Sequence, residues 1–434
     1  MDGIVCIVAA PVSFEGAYVR RVVDDELDEL FAHLPAIALD GPKGVGKTAT
    51  ALQRATTVRR LDNAAERDPI EADPFIVALD TPPVLLDEWQ RVTATFDVVR
   101  RLVDDDHSAG HFLLTGSAPV SSTHSGAGRV TTVRMRPLTL SERLGLTDGV
   151  SFADLLSGSA RPAGRTPLTL VDYAREITTG GFPGLRHLSS KPLTAQLDGY
   201  LERVVTHDLP VSGLRVRHPE TVLRWLRAYA AATASATSLE KIRRAATGEE
   251  GASPSRTAVT PYVELLTALR ILDPVPAWLP SRNHLAALAV APKHHLADPA
   301  LAARLVRVGS VDLLHGSGPP LRGARDGSFM GALFESLVTL SVRTFAQRAG
   351  ARTYHLRTQG GRHEVDIIAE GDHGVVALEV KLSPTVTDDD VTHLRWLRDL
   401  LGEECADVAV VTTGPEAYRR RDGVAVIPLG LLVP

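Results

Sequence analysis

The chain has 434 residues, 44% of them hydrophobic and 23% charged, with a formal charge of -5. That length exceeds one compact core and predicts several domains of about 150 residues each, while the near-balanced charge excludes a chain that coats nucleic acid along its whole length. Cys6 and Cys405 lack metal-type spacing, the run IVCIVAAPV follows Asp2 rather than Lys or Arg, and no 18-residue apolar stretch stands out, so the expectation is a cytoplasmic protein with no disulfide framework, zinc site or membrane anchor.

Residues 25–34 (DELDELFAHL) have helical spacing. AIALD (36–40) reads as a short buried strand running into GPKGVGKT and a helix; VRRL (58–61), PVLLDE (83–88) and HFLLTGS (111–117) are further strands, separated by helix-length segments such as 91–104. This alternation predicts an α/β fold with a parallel sheet in a first domain, residues 1–145. From 146 to 215 the pattern is helical, broken by GGFPG (180–184), and is expected to be a linker. Three helices are expected over 220–272, within a domain of residues 216–315. Residues 211–270 hold nine Lys/Arg against five Asp/Glu, and SLEKIRRAA, a polar break and SRTAVTPYVELLTALRIL have the pattern of a helix-turn-helix. Arg243, Arg244 and Arg256 are then the candidate DNA phosphate contacts; a helical bundle with solvated arginines fits the same charges. His294 and His295 are expected in a solvated loop. The Gly/Pro-rich stretch 316–328 marks a boundary, and a helix over 331–348 followed by strands makes a last α/β unit, residues 328–434.

Gly41-Pro42-Lys43-Gly44-Val45-Gly46-Lys47-Thr48 fits G-x-x-x-x-G-K-[ST] between a strand and a helix, the phosphate-binding loop. Backbone N–H groups would cradle the phosphates of ATP, Lys47 would reach the β- and γ-phosphates, and Thr48 would ligate Mg2+. Asp87 and Glu88 end an apolar strand, where α/β sheets bind ligands; Asp87 is expected to hold Mg2+ and Glu88 to orient the attacking water as general base. Thr115 and Ser117 are candidate γ-phosphate sensors on the neighbouring strand, and Arg129 is the candidate finger that completes a neighbour's site in a homo-oligomer.

The chain uses Arg 41 times and Lys six times, at 43, 47, 191, 241, 293 and 381, so a retained lysine marks a place that needs a compact ammonium. In HEVDIIAEGDHGVVALEVKLS (363–383), Gly371-Asp-His-Gly374 is a natural hairpin turn. If 370 faces 375, Asp366 lies opposite Glu379 and Glu364 opposite Lys381; alternation then puts Asp366, Glu379 and Lys381 on one side and Val365, Ile367, Val376, Leu378 and Val380 on the other. Two facing carboxylates repel unless a cation lies between them, which predicts a divalent-metal site at Asp366 and Glu379, with Lys381 steadying a water or a scissile phosphate. A Glu364–Lys381 surface pair on an inert sheet is the other reading.

With these motifs in order the sequence resembles a prokaryotic family of AAA+-like ATPases with a C-terminal domain of unknown function. The resemblance runs through Tyr18-Val-Arg-Arg21-Val-Val-Asp24, the phosphate loop, LLDEWQ, FLLTGS, RPLTLSE, GGFPG, HDL (207–209), ADPAL (297–301), LFESLV and EVD…LEVK. The family usually has Arg at Lys43, an aliphatic residue at Trp89, Glu at Gly184 and Arg at His207. It implies an ATPase domain, a winged-helix segment and a restriction-endonuclease-like end in which Glu335 is a further metal ligand. It implies no established substrate; the function expected from the motifs together is an ATP-binding, Mg2+-dependent ATPase acting on DNA, with a nuclease-like C-terminal domain. The competing reading is an ATP-controlled switch or scaffold that binds a protein partner, its C-terminal fold catalytically inert.

Overall fold

AIALD has no polar alternation, the pattern of a strand covered on both faces, and it forms β1 (Ala36–Asp40) inside a parallel sheet. This computed structural model describes residues 18–116, 127–214, 216–247, 254–278, 290–315 and 326–434. The sheet order is β2 (Thr57–Arg60), β3 (Val84–Asp87), β4 (Phe112–Thr115), β1, β5 (Thr131–Arg134), every pair parallel. Helices 47–52, 64–72 and 94–105 supply crossovers that parallel pairing demands. Successive residues of β3 and β4 feed opposite cores: Leu86 and Leu114 pack with Phe96 and Val99, while Leu85 and Leu113 pack with Leu27, Ile37 and Val133. Helix Val22–Phe31 starts three residues before the expected position, because the Asp24 carboxylate accepts the Arg21 N–H at 2.6 Å and caps it there. The carboxyl ends of β1 and β3 lie on one edge, where the phosphate loop and Asp87-Glu88 follow them.

The helices expected over 220–272 lie at Pro219–Ala231, Leu239–Ala245 and Arg256–Ala268. They do not form a separate core. Trp225, Leu226 and Tyr229 belong to one continuous cluster with Phe152, Tyr173 and Leu197 from 146–215, and with Leu333, Phe334 and Leu378 from the C-terminal part. Helix 326–348 runs through this cluster. Its residues 329–348, with mean hydropathy 1.2, are long and apolar enough to cross a membrane by length and composition, contrary to the expectation that no such stretch exists; 72% of that apolar window is buried inside the protein.

The C-terminal sheet has the order β12 (Tyr418–Arg419), β13 (Ala425–Pro428), β11 (Cys405–Thr412), β10 (Gly374–Lys381), β9 (Glu364–Gly371), β8 (Arg352–Arg357), β7 (Ala277–Trp278). Two strand pairings cross the expected boundaries: β7, which joins this sheet, comes from the 216–315 segment, and β14 (Leu432–Val433) pairs in parallel with β6 (Val150–Ser151) in a small separate sheet. The β9–β10 hairpin has the expected register, Glu370 opposite Val375 through Ile367 opposite Leu378. The expected alternation fails at one point. Against β8, β9 shifts register between Tyr354 and Leu356, so Val365 packs with Val375 and Ala377 in one core whereas Ile367 packs with Val376 and Leu378 in the other. A bulge of this kind re-aims the side chain at the irregularity, which is Asp366.

Candidate functional site

Three glycines make the phosphate loop possible. Gly44 and Gly46 have φ of 75° and 103°, the left-handed region, and a Cβ on Gly41 would stand 2.2 Å from the Met135 carbonyl oxygen. Lys47 opens helix 47–52 and is buried; its Nζ donates to the loop's own carbonyls, Gly41 at 2.7 Å and Pro42 at 3.0 Å. Burial pushes its pKa down to about 8. From the opposite strand, Asp87 accepts the Thr48 hydroxyl at 2.8 Å and the Thr115 hydroxyl as well, so Thr115 is held by Asp87. A hydroxyl and a carboxylate converging beside a phosphate cradle are the oxygen donors a hard divalent cation takes, so Thr48 and Asp87 fit Mg2+. Glu88 has φ of 54°, a strained conformation for this residue, and its carboxylate accepts from Gln90 Nε2 at 2.5 Å.

The rest of the chain clasps this loop. Buried Arg21 donates to Glu142 at 2.8 Å, to the Val45 carbonyl at 3.1 Å and to the Arg136 carbonyl at 2.9 Å. Lys43 reaches Asp208 at 2.6 Å, and the Tyr200 hydroxyl donates to the Lys43 carbonyl at 3.2 Å. Beside the loop lies a cavity of about 480 Å³, lined by Tyr18, Arg21, Gly46, Thr50, Pro183 and His187 among others.

At the C-terminal sheet, Asp366 and Glu335 converge as expected, but the cation between them is a protein ammonium. Lys293 Nζ lies 2.7 Å from Glu335 and 3.0 Å from Asp366, with its side chain only 2% exposed. Asp366 also accepts the Val380 N–H at 2.9 Å. Glu379 is paired with Lys381 at 3.1 Å and leaves its other oxygen, Oε2, buried without a hydrogen bond. Lys381 further contacts Asp390 at 3.7 Å, whereas Glu364 lies against Arg357 at 3.8 Å and not against Lys381. Burial first, and then the Asp366 charge, raise Glu335 and Glu379 each to about 8. The metal expectation at Glu335, Asp366 and Glu379 is corrected accordingly: no group of three or more His, Cys, Asp or Glu among the described residues is arranged to hold a metal ion, and Lys293 supplies the charge that relieves the repulsion.

Three family models match in succession: an AAA domain over residues 33–144, a domain of unknown function (DUF8612) over 170–312, and a domain of unknown function (DUF4143) over 330–432. The chain is thus similar to P-loop ATPases that carry a C-terminal domain of unknown function. Two curated relatives, uncharacterized protein Mb2031c of Mycobacterium bovis and uncharacterized protein Rv2008c of Mycobacterium tuberculosis, are each 26% identical over 420 residues, 94% of this chain and 83% of theirs. Among solved structures, a Walker-type ATPase of Pyrococcus abyssi is 16% identical with a TM-score of 0.39, covering 68% of this chain and 98% of that one. Protein VC1899 from Vibrio cholerae is 14% identical with a TM-score of 0.18, covering 91% and 94%.

In this ATPase-like chain the remaining candidates fare differently. Arg243, Arg244 and Arg256, the candidate DNA contacts, all converge on one carboxylate, Glu240, at 2.8, 2.9 and 3.1 Å, with Arg244 and Arg256 exposed. Arg129 pairs with Asp104 at 2.7 Å on the exposed side of helix 94–105. Ser117 lies outside the described residues. His294 and His295 are not solvated: the antiparallel bridges Leu272–Leu296 and Val275–Lys293 draw the segment inward, where His294 Nε2 meets the Thr237 carbonyl at 2.6 Å and His295 Nδ1 meets Ser336 at 3.2 Å. Lys293 is the functional-looking residue that pattern reading missed. Its one signal was lysine scarcity, and nothing in the order of residues joins it to Glu335 or Asp366.

Proposed function

We propose that the protein binds ATP with Mg2+, hydrolyses it in its N-terminal domain, and acts as a nucleotide-controlled switch whose C-terminal fold is catalytically inert. The observation that carries the first half is the Lys47–Thr48–Asp87 arrangement. Thr48 and Asp87 would hold the Mg2+, which neutralises charge on the phosphates when bound. Lys47, now bonded to two loop carbonyls, would exchange them for phosphate oxygens. Glu88, beyond Asp87 at the strand end, would take the proton of the attacking water. Calorimetric titration of Mg2+–ATP into the wild-type chain and Lys47→Ala tests this half; equal affinity in the two would remove the assignment.

The second half rests on Lys293. An ammonium buried between Glu335 and Asp366 supplies the positive charge that those carboxylates would otherwise draw from a metal ion. A DNA-directed nuclease remains the second reading, favoured by the convergence of Glu335, Asp366, Glu379 and Lys381 at one end of the β9–β10 hairpin. Incubating linear and branched DNA with the full chain and Mg2+ or Mn2+ separates them: cleavage that disappears in Asp366→Ala and in Glu379→Ala would establish the nuclease.

A further inference from the structure

Arg134 is the last residue of β5 and stands in register opposite Asp40, the residue immediately before Gly41 of the phosphate loop. Its side chain is 15% exposed, yet Nε and NH1 are buried without any hydrogen-bond partner. Two carboxylates lie near, Asp40 at 3.7 Å and Asp273 at 3.6 Å, both beyond hydrogen-bonding distance. Each is already engaged by other arginines: Asp40 by Arg270 at 2.6 Å, Asp273 by Arg136 at 3.0 Å and Arg343 at 3.1 Å. Buried donors are ordinarily satisfied, so a guanidinium kept in this state beside a phosphate cradle points to a partner that arrives from outside the chain. An anion is the partner that would answer the guanidinium's charge together with its unused N–H donors. Because burial, with a smaller push from Arg134, depresses the Lys47 ammonium, the two cations stand within electrostatic reach of each other, and one anionic group between them would relieve both.

We infer that Arg134 binds the terminal phosphate of the nucleoside triphosphate, acting within its own chain and giving the site its preference for the triphosphate over the diphosphate. The inference rests on the ATP-binding reading above and deepens it. This role differs from the one expected of Arg129, a finger for a neighbour's site, which pairs with Asp104 on the outer surface.

The test uses the full chain, with Arg134→Met and Arg134→Lys, titrated separately with Mg2+–ATP and with ADP. Loss of one charge-assisted contact made only by the terminal phosphate should weaken ATP binding roughly tenfold or more in Arg134→Met, with ADP affinity unchanged within about twofold. Arg134→Lys should recover part of the ATP affinity. Retained ADP binding also reports that the variant is folded. Equal weakening of ATP and ADP, or no change in either, would make Arg134 a structural cation and overturn the inference alone. A wild-type chain that binds neither nucleotide would overturn the parent reading and this one with it.

Discussion

Lys293→Met removes a buried ammonium while keeping much of its length and apolar stem. At an effective dielectric of about 20, each ion pair near 3 Å carries about 5 to 6 kcal/mol of gross attraction, so the contacts to Glu335 at 2.7 Å and Asp366 at 3.0 Å are large terms. Above about pH 8, where Glu335 is ionised, desolvating three charged groups offsets most of that gain, and the net loss expected on breaking such a buried arrangement is roughly 3–5 kcal/mol. The loss depends on pH with a definite sign. Glu335 and Glu379 sit at about 8, above the ordinary 4.5, so each contributes stability that is present at low pH and is lost as pH rises through the folded value. Lys293 opposes that rise on both groups, so its removal lifts both further and widens the window in which ionisation is penalised. The variant should therefore lose the full amount near pH 9 and distinctly less near pH 6, where both carboxyls are already protonated. Urea unfolding followed by tryptophan fluorescence reads this, as the shift in midpoint between wild type and variant at the two pH values; midpoints are compared because a chain of this size need not unfold in one step. A shift of equal size at both pH values, or a larger one at pH 6, would refute the proposed role of the ammonium.

Arg143 is fully buried and donates to the Leu138 and Glu176 carbonyls and to Asp298 at 2.7, 2.9 and 2.9 Å, so Arg143→Met should cost roughly 3–5 kcal/mol, and adding Asp298→Asn, which removes the stranded charge but keeps an acceptor for the Ala300 N–H, should restore part of it in thermal denaturation. Asp87→Asn should leave ADP binding measurable but remove the Mg2+ dependence of ATP affinity, because one of the two oxygen donors poised beside the loop becomes a neutral amide. Glu240→Gln frees three arginines at once; fluorescence anisotropy with duplex DNA should then show a steeper fall of affinity with salt than wild type, by up to about 0.9 in logarithmic slope for each phosphate newly contacted. An unchanged slope would mean that these side chains never face DNA.

The geometry of the candidate nucleotide site was legible in sequence because its chemistry is local. Eight consecutive residues specify the loop, and a strand ending in Asp87-Glu88 meets it through the ordinary geometry of a parallel sheet. The hairpin register was legible for the same reason, since Gly371 and Gly374 fix the turn. What lay beyond reach were relations between distant segments. Strand β5 is four residues, TTVR, with no apolar run to mark it, yet it completes the sheet and delivers Arg134 to Asp40. The bulge at Asp366 depends on how β9 lies against β8, which the hairpin alone does not specify. Lys293 meets Glu335 and Asp366 only after bridges at 272–296 and 275–293 fold its segment against helix 326–348. Local charge counting over 211–270 likewise could not see that three arginines share one glutamate.

Turnover of ATP by this chain is read most directly as Mg2+-dependent phosphate release by wild type and by Glu88→Gln at saturating ATP. Glu88, the proposed base, follows Asp87 in a left-handed conformation and accepts a hydrogen bond from the Gln90 amide. The account predicts release by wild type that requires Mg2+, and in Glu88→Gln an unchanged ATP affinity with turnover lower by roughly a hundredfold or more. Release by Glu88→Gln at the wild-type rate, or none from a wild-type chain that binds Mg2+–ATP, would contradict it.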